Sequence, residues 1–322
     1  MNIVIPDDYQ NCVKGMDCFQ KLAEHHVTVF NDTVKSLDDL VVRFKEADVI
    51  VLTRERTRIT RELLEGLPRL KLISQTGKIA THIDMEACAS RGVTVMDGRG
   101  SGSATAEFAM LLILASLRHL VTEVNRLERG QWQGTVGRHL NGKRLGVLGF
   151  GRIGEQMCRL GAAFGALPVV WGRESTLDKA CAAGFEVAAS REAFYAECDV
   201  VSLQLRLNPQ TQHSVTASDL RLMKSTALLV NTSRAELIEP EALYRALILG
   251  RPGFAAVDVY EHEPLAMRHP LQDLPNCLCT PHLGFVEQDN YEAYYGSAFD
   301  NILAFEKKYQ HKSLPNPTLI TY

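Results

Sequence analysis

The chain has 322 residues, with 35 Lys and Arg against 38 Asp and Glu, for a formal net charge of −3. That length suggests about two domains, and the mild negative balance offers no electrostatic case for nucleic acid. At 46% hydrophobic and 23% charged residues the composition is ordinary for a globular protein. The longest apolar run near a helical pattern, Phe108 to Leu117, is too short to span a bilayer. The opening Met1-Asn-Ile-Val-Ile-Pro-Asp-Asp lacks a basic stretch, so no secretory signal is expected. Cysteines at 12, 18, 88, 158, 181, 198, 277 and 279 form no CxxC pair and have no zinc spacing. They are expected to be reduced thiols in a cytoplasmic protein with no metal site.

The first hundred residues alternate strand and helix patterns. Strands are expected at Asn2–Ile5, Val27–Phe30, Asp48–Leu52, Leu70–Ser74 and Val93–Met96. Helices are expected at Gly15–His25, Ser36–Lys45, Thr60–Leu64 (begun by a threonine cap) and Ile83–Arg91. Such alternation means a parallel sheet covered by helices. A Gly/Ser-rich joint, Gly98-Arg-Gly-Ser-Gly-Ser103, reads as a hinge. One long helix is expected from about Ala104 to Arg129, apolar all round and buried in its first half, emerging to solvent in its second. Later strands are expected at 185–187, 199–205, 227–231, 253–257 and 277–280, with helices at Ala217–Met223 and Glu239–Leu249 between them. A last helix from about Gln288 to Lys307 should return to the first domain. The expected division is 1–99 with 288–322, and 100–287.

The chain is organised around Lys143 to Glu174. The strand-like Leu145, Val147 and Leu148 lead into Gly149-Phe-Gly151-Arg152-Ile153-Gly154, then into a helical pattern, then into Val169-Val170-Trp171. A GxGxxG between strand and helix is the context of a dinucleotide fingerprint. Gly149 permits the tight turn, Gly151 lets a pyrophosphate approach the backbone, and Gly154 lets helix and strand pack closely. The helix N-terminus then offers free N–H groups to the phosphates. In an open parallel sheet, ligands bind beyond the carboxyl ends of the strands. Three later strands are followed there by Thr232-Ser233-Arg234, by Asp258-Val-Tyr-Glu-His-Glu263-Pro264 and by Pro281-His282. An Arg that can grip a carboxylate and a carbonyl, a His that can move a hydroxyl proton and a carboxylate that holds the ring suit redox chemistry on a hydroxy acid. His262, between Glu261 and Glu263, is a rival proton shuttle, ranked below His282 because it sits in an acidic turn.

With these residues in place, the chain resembles the D-isomer-specific 2-hydroxyacid dehydrogenases. The motifs are Asn141-Gly-Lys-Arg-Leu-Gly-Val-Leu-Gly-Phe-Gly-Arg-Ile-Gly154, Leu229-Val-Asn-Thr-Ser-Arg234, Ala256-Val-Asp-Val-Tyr-Glu-His-Glu-Pro264 and Thr280-Pro-His282. The resemblance implies an α/β fold, with a Rossmann doubly wound parallel sheet for NAD or NADP and a smaller flavodoxin-like α/β substrate domain. It implies a hydride transfer between NAD(P)H and a small 2-keto or D-2-hydroxy acid of the glyoxylate, hydroxypyruvate or 3-phosphoglycerate type, bound in a cleft between domains. Arg234, Glu263 and His282 are then the catalytic set. Thr105, Gly149, Gly151, Arg152, Ile153, Gly154, Arg173, Leu205, Arg206, Thr232 and Asp258 fall to the cofactor, and Arg54, Gly77, Lys78 and Ile79 to the substrate. Relatives are usually homodimers, with the helix beginning near Ala104 prominent in the contact. An alternative implied by the same resemblance is a cofactor-sensing interaction protein of the C-terminal binding protein kind.

The chain also departs from the family pattern. Ile79 stands where relatives often have a second glycine in the substrate loop, with Lys78 before it, which should alter side-chain preference. Arg206 stands where proline is common. Gly172-Arg173 replaces the usual aspartate after the second strand, which leans the cofactor expectation to NADP. Glu174 argues the other way.

Overall fold

The structure is a computed structural model that describes residues 1–310, with side chains to 308. Two compact units divide the described residues: Met1–Ser101 with the chain from Glu287 to Gln310, and Gly102–Val286; the expected reach of the first domain from 311 to 322 lies outside the described residues.

The first unit carries a five-stranded sheet of β1 (Asn2–Ile5), β2 (His26–Val29), β3 (Val49–Leu52), β4 (Leu72–Gln75) and β5 (Thr94–Met96), in the order β2-β1-β3-β4-β5. Every pairing is parallel. Strands β3 and β4 are buried along their whole length, which is why β3 reads as a continuous apolar run rather than an alternation. Helices α1 (Leu37–Phe44), α2 (Arg61–Glu65) and α3 (Met85–Ser90) begin at Ser36, Thr60 and Asp84, whose side chains accept from the N–H groups of Asp39, Leu63 and Ala87. Each cap satisfies one of the free donors of a helix start.

The helix expected over Gly15–His25 does not form. Two 3-10 segments, Val13–Gly15 and Asp17–Leu22, take its place. Met16 between them is extended, and the Glu292 carboxylate accepts from the N–H groups of Asp17 and Cys18. That cap comes from residues far along the chain, beyond the reach of any local pattern.

The second unit opens with α4 (Ser103–Leu117) and α5 (Leu120–Glu128), then runs β6 (Arg144–Leu148), α6 (Arg152–Ala163), β7 (Leu167–Trp171), α7 (Glu174–Ala182), β8 (Glu186–Val187), α8 (Arg191–Glu197), β9 (Val200–Leu203), α9 (Ala217–Leu222), β10 (Leu228–Asn231), α10 (Ala242–Ile248), β11 (Phe254–Val257) and β12 (Cys277–Cys279). Its seven strands are ordered β12-β11-β10-β9-β6-β7-β8 and all pair in parallel. Chain order reverses between β6 and β9, the switch point of a doubly wound sheet. Both faces are covered, and successive residues of one strand enter opposite cores. Val201 and Leu229 join Phe194, Tyr195 and Leu220 on one side, while Val200, Leu228 and Val230 join Met110, Ile113 and Met157 on the other.

The single helix expected over Ala104–Arg129 is instead the pair α4 and α5, bent by 60°. His119 at the break has φ 51, its ring lies 5.5 Å from that of Phe254, and the N–H of Arg138 reaches the carbonyl of Leu117. These distant partners anchor the residue and one of the carbonyls a helix end leaves unpaired. As expected, α4 is buried over much of its surface and α5 has no buried residue. No single helix among the described residues is long and apolar enough to cross a membrane.

The last helix, α11 (Gln288–Gln310), belongs to the first unit. Tyr291, Tyr295, Ala298, Phe299 and Ile302 form its buried face. Tyr295 Oη and Thr53 Oγ1 share a hydrogen bond of 2.7 Å, and Ser74 Oγ donates to the carbonyl of Ala298 at 2.8 Å.

Candidate active site

The register of the second sheet aligns the strand ends. Trp171 pairs with Leu148, Leu148 with Leu203, Leu203 with Asn231, Asn231 with Val257 and Val257 with Cys279. Gly172, Gly149, Gln204, Thr232, Asp258 and Thr280 therefore leave the sheet along one line. A single edge of parallel strands thus collects residues spread over more than a hundred positions.

At the centre of that edge the three glycines do different work. Gly149 has φ 97, and a Cβ there would stand 2.7 Å from the Gln204 carbonyl and 2.8 Å from Leu205 Cδ2. A Cβ on Gly154 would run into the carbonyl of Gly149, whereas one on Gly151 would meet nothing within 4 Å. The open space lies beside the start of α6, whose N-cap Gly151 supplies no side-chain acceptor. Uncapped N–H groups facing open space fit an anion such as a dinucleotide pyrophosphate. On the same edge Thr232 Oγ1 is buried without a hydrogen-bond partner, an orphan that a bound cofactor could satisfy. Arg152 is exposed and Ile153 half-buried, and the side chains of both border Gly102. Thr105, in the first turn of α4, lies by Gly284. Leu205 packs beneath the glycine turn, while Arg206 is exposed.

After β7, Gly172 and the N-cap Arg173 lead into α7. Arg173 and Glu174 are both exposed. A Cβ on Gly172 would press to 2.7 Å from Thr176 Cγ2, so the missing carboxylate at this position is matched by a threonine that fills its space.

Beyond β10, β11 and β12 the acid–base group assembles. His282 Nδ1 lies 2.5 Å from Glu263 Oε2, and the other oxygen of Glu263 accepts from the N–H of Tyr260 at 2.9 Å. Burial raises the Glu263 carboxyl. The hydrogen bond and charge of His282, the Tyr260 N–H and the charge of Arg234 outweigh that and hold it below its ordinary value. Arg234 is thus electrostatically joined to the pair. Its own loop is fixed by Asn231, whose Nδ2 donates to the Arg234 carbonyl and whose Oδ1 accepts from the N–H of Ser233.

His282 has φ 53, a strained left-handed conformation for a histidine. Buried Asp258 holds the loop around it. Its carboxylate accepts from Thr280 Oγ1, from the N–H of Leu283 and from the N–H of Gly284, at 2.6, 2.8 and 2.8 Å. Burial raises the Asp258 carboxyl against those three donors. The ring of Phe285 meets His282 edge-on, with centroids 5.2 Å apart.

His262 is exposed. Its neighbour Glu261 reaches His269 at 3.3 Å, and its neighbour Glu263 faces His282, so the turn is not the wholly solvated one its charges suggest. Asn231, Tyr260 and Phe285 are the supporting residues that sequence reasoning did not single out. Only Asn231 carries a local signal, an Asn two and three residues before the groups it bonds.

In the first unit Arg54 follows β3 with φ 55. Gly77, with φ 148, accepts from the N–H of Gly98 through its carbonyl. Lys78 and Ile79 follow on the same loop. The Lys78 ammonium is paired with Asp97 at 2.5 Å, and Ile79 packs against the core around Ile73 and Val95. Lys78 is therefore a compensated charge, and Ile79 is turned in part to the interior.

Residues 110–284 match the family model described as D-isomer specific 2-hydroxyacid dehydrogenase, NAD binding domain. The chain is 34% identical over 292 residues to a glyoxylate reductase of Aeropyrum pernix, covering 87% of this chain and 85% of that one. It is 35% identical over 250 residues to a D-3-phosphoglycerate dehydrogenase of Methanocaldococcus jannaschii, covering 77% of this chain and 47% of that longer protein. A crystal structure of a phosphoglycerate oxidoreductase from Vibrio cholerae o395 superposes with a TM-score of 0.93 at 49% identity, covering 96% of this chain and 99% of that one. With its doubly wound sheet, glycine turn and histidine–carboxylate pair, the chain belongs to the D-isomer specific 2-hydroxyacid dehydrogenases.

Proposed function

We propose that this oxidoreductase interconverts a small 2-keto acid and its D-2-hydroxy acid, with Arg234, Glu263 and His282 as the catalytic set. The reading rests above all on the 2.5 Å bond between His282 and Glu263, beside the charge of Arg234. With Nδ1 committed to Glu263, Nε2 of His282 is the nitrogen available to a substrate oxygen. A bound nicotinamide supplies the hydride for reduction and receives it in oxidation. In reduction His282 as imidazolium gives its proton to the carbonyl oxygen while C2 gains the hydride; in oxidation the neutral ring takes the proton back. Arg234 grips the carboxylate and polarises the carbonyl with its paired donors. Glu263 keeps the ring oriented through its bond to Nδ1. Thr232 and Asp258 would line the nicotinamide, Gly149 to Gly154 the pyrophosphate, Thr105, Leu205 and Arg206 the rest of the cofactor, and Arg54 with Gly77 to Ile79 the substrate.

For the dinucleotide we favour NADP(H), because Arg173 is exposed at the end of β7 and Gly172 offers no carboxylate to the ribose. We assign a homodimer through the exposed apolar face of α5, and a cytoplasmic setting, which suits eight free cysteines. An interaction-protein role is not favoured, since the curated relatives are named as reductases and dehydrogenases. One experiment tests the reading: a panel of glyoxylate, hydroxypyruvate and other 2-keto acids, with NADPH and NADH, followed by loss of nicotinamide absorbance. His282→Ala should lower kcat by roughly two to four orders of magnitude while cofactor binding holds. Arg173→Ala should shift the NADPH/NADH ratio of kcat/KM towards NADH by about tenfold. An active His282→Ala enzyme would move the proton role to His262.

A further inference from the structure

Arg54 leaves β3 on the carboxyl edge of the first sheet, where the order β2-β1-β3 turns about between β1 and β3. That is the position where an open sheet forms a ligand crevice. Both backbone groups of Arg54 are tied to the exit of β4. Its N–H donates to Thr76 Oγ1 at 2.9 Å, and its carbonyl accepts from Gln75 Nε2 at 2.7 Å. Its left-handed φ of 55 is thereby over-determined, as a strained conformation at a working site must be.

The side chain is held as firmly. The guanidinium carbon lies 5.3 Å from the centroid of the Tyr294 ring, within cation–π range. Arg54 Nη1 occupies the space that a Cβ on Gly77 would take, and Tyr294 Cε1 lies 3.3 Å from the same point. The Tyr294 ring also fills the space of a Cβ on Gly100. Gly100 has no positive φ to require a glycine, so the ring supplies its steric reason. Two glycines, on the loops after β4 and β5, thus open a slot in which an aromatic ring and a guanidinium lie against the backbone.

We propose that Tyr294 is a positioning residue for the substrate: its ring, seated by Gly77 and Gly100, holds the Arg54 guanidinium ready to receive the carboxylate of the 2-keto acid. This rests on the reading of Arg54 as a substrate contact. An Arg fork binds a carboxylate through two parallel bonds only when its plane is fixed, and a fork ordered beforehand loses less freedom on binding. The ring, not the hydroxyl, does this.

Steady-state kinetics with glyoxylate and hydroxypyruvate test it. Tyr294→Leu should raise KM by roughly tenfold, about 1.4 kcal/mol of binding, with kcat within about threefold and the dissociation constant for NADPH unchanged. Tyr294→Phe should restore KM to within about threefold of wild type. Gly100→Ala, which expels the ring but keeps Tyr294, should reproduce the Tyr294→Leu defect and serves if that variant folds poorly. Arg54→Ala should raise KM at least as far, and adding Tyr294→Leu to it should change nothing more. If Arg54→Ala raises KM while Tyr294→Leu and Gly100→Ala do not, the positioning role falls and the Arg54 reading stands. If Arg54→Ala leaves KM alone, both fall. A Tyr294→Phe enzyme as impaired as Tyr294→Leu also overturns the role given to the ring.

Discussion

At the scale of single residues the site depends on one short hydrogen bond between groups that are far apart in sequence. Glu263 is depressed below the usual carboxylate range despite its burial, because His282 donates to it and the charges of His282 and Arg234 favour its ionised form. Glu263→Gln, which keeps the size of the side chain and removes its charge, should lower kcat for keto-acid reduction by about tenfold or more while cofactor binding holds. A Glu263→Gln enzyme with the kcat of wild type would refute the pairing. The left-handed backbone of His282 belongs to the same economy of design: Asp258 and Glu263 hold the loop and the ring in a conformation that a free histidine rarely adopts.

At the scale of elements, the helices of the second unit are fixed by side chains that reach across to them. Helix α9 begins in a capping box, with Thr216 and Asp219 bonded each to the other's backbone N–H. Asp219 is buried and also pairs with Arg191 at 2.6 Å, joining α9 to α8. Burial raises the Asp219 carboxyl, but the hydrogen bonds from Arg191 and Thr216 outweigh it and leave the group depressed. A carboxyl depressed on folding binds fewer protons folded than unfolded. Its stabilisation is therefore complete above the unfolded value of about 4 and is lost as the pH falls through the lower folded value. Asp219→Asn should cost about 2 kcal/mol at pH 7, between exposed and fully buried pairs because Arg191 is partly solvated. Thermal melts should show the gap between variant and wild type closing in strong acid. A gap that stays constant with pH would exclude the ion pair as its source.

At the scale of the whole molecule, α5 exposes Leu120, Val124 and Leu127 on one helical face, with relative accessibilities of 50%, 48% and 60%. Residues spaced by four and three lie on one side of a helix, and large apolar side chains gathered there mark an interaction surface. A second copy of this chain is the proposed occupant. Sedimentation should give a dimer for the wild type and a monomer for Val124→Asp with Leu127→Asp, with the melting temperature of the cofactor unit little changed in the cofactor-bound protein. A monomeric wild type would end the proposal.

The cofactor edge could be read from the sequence because its elements are local. A strand, a glycine turn and an amphipathic helix lie within thirty residues, and Gly154 answers to a steric demand set inside the motif by the carbonyl of Gly149. The α/β class was legible for the same reason, since strand and helix patterns alternate in sequence as they do in space. Arg234, Glu263 and His282 were legible as residues following strands and, through the resemblance, as one set; that Glu263 and His282 touch was decided by the parallel register that aligns Leu203, Asn231, Val257 and Cys279. Other features were closed to local reasoning because their causes lie far along the chain. Glu292 turns an expected helix after β1 into two 3-10 segments, Phe254 anchors the break at His119, Asp97 neutralises Lys78, and Tyr294 explains a glycine almost two hundred residues away. Propensity and periodicity act over a turn or a strand, whereas a buried cap, an ion pair or an aromatic stack is a choice made by packing.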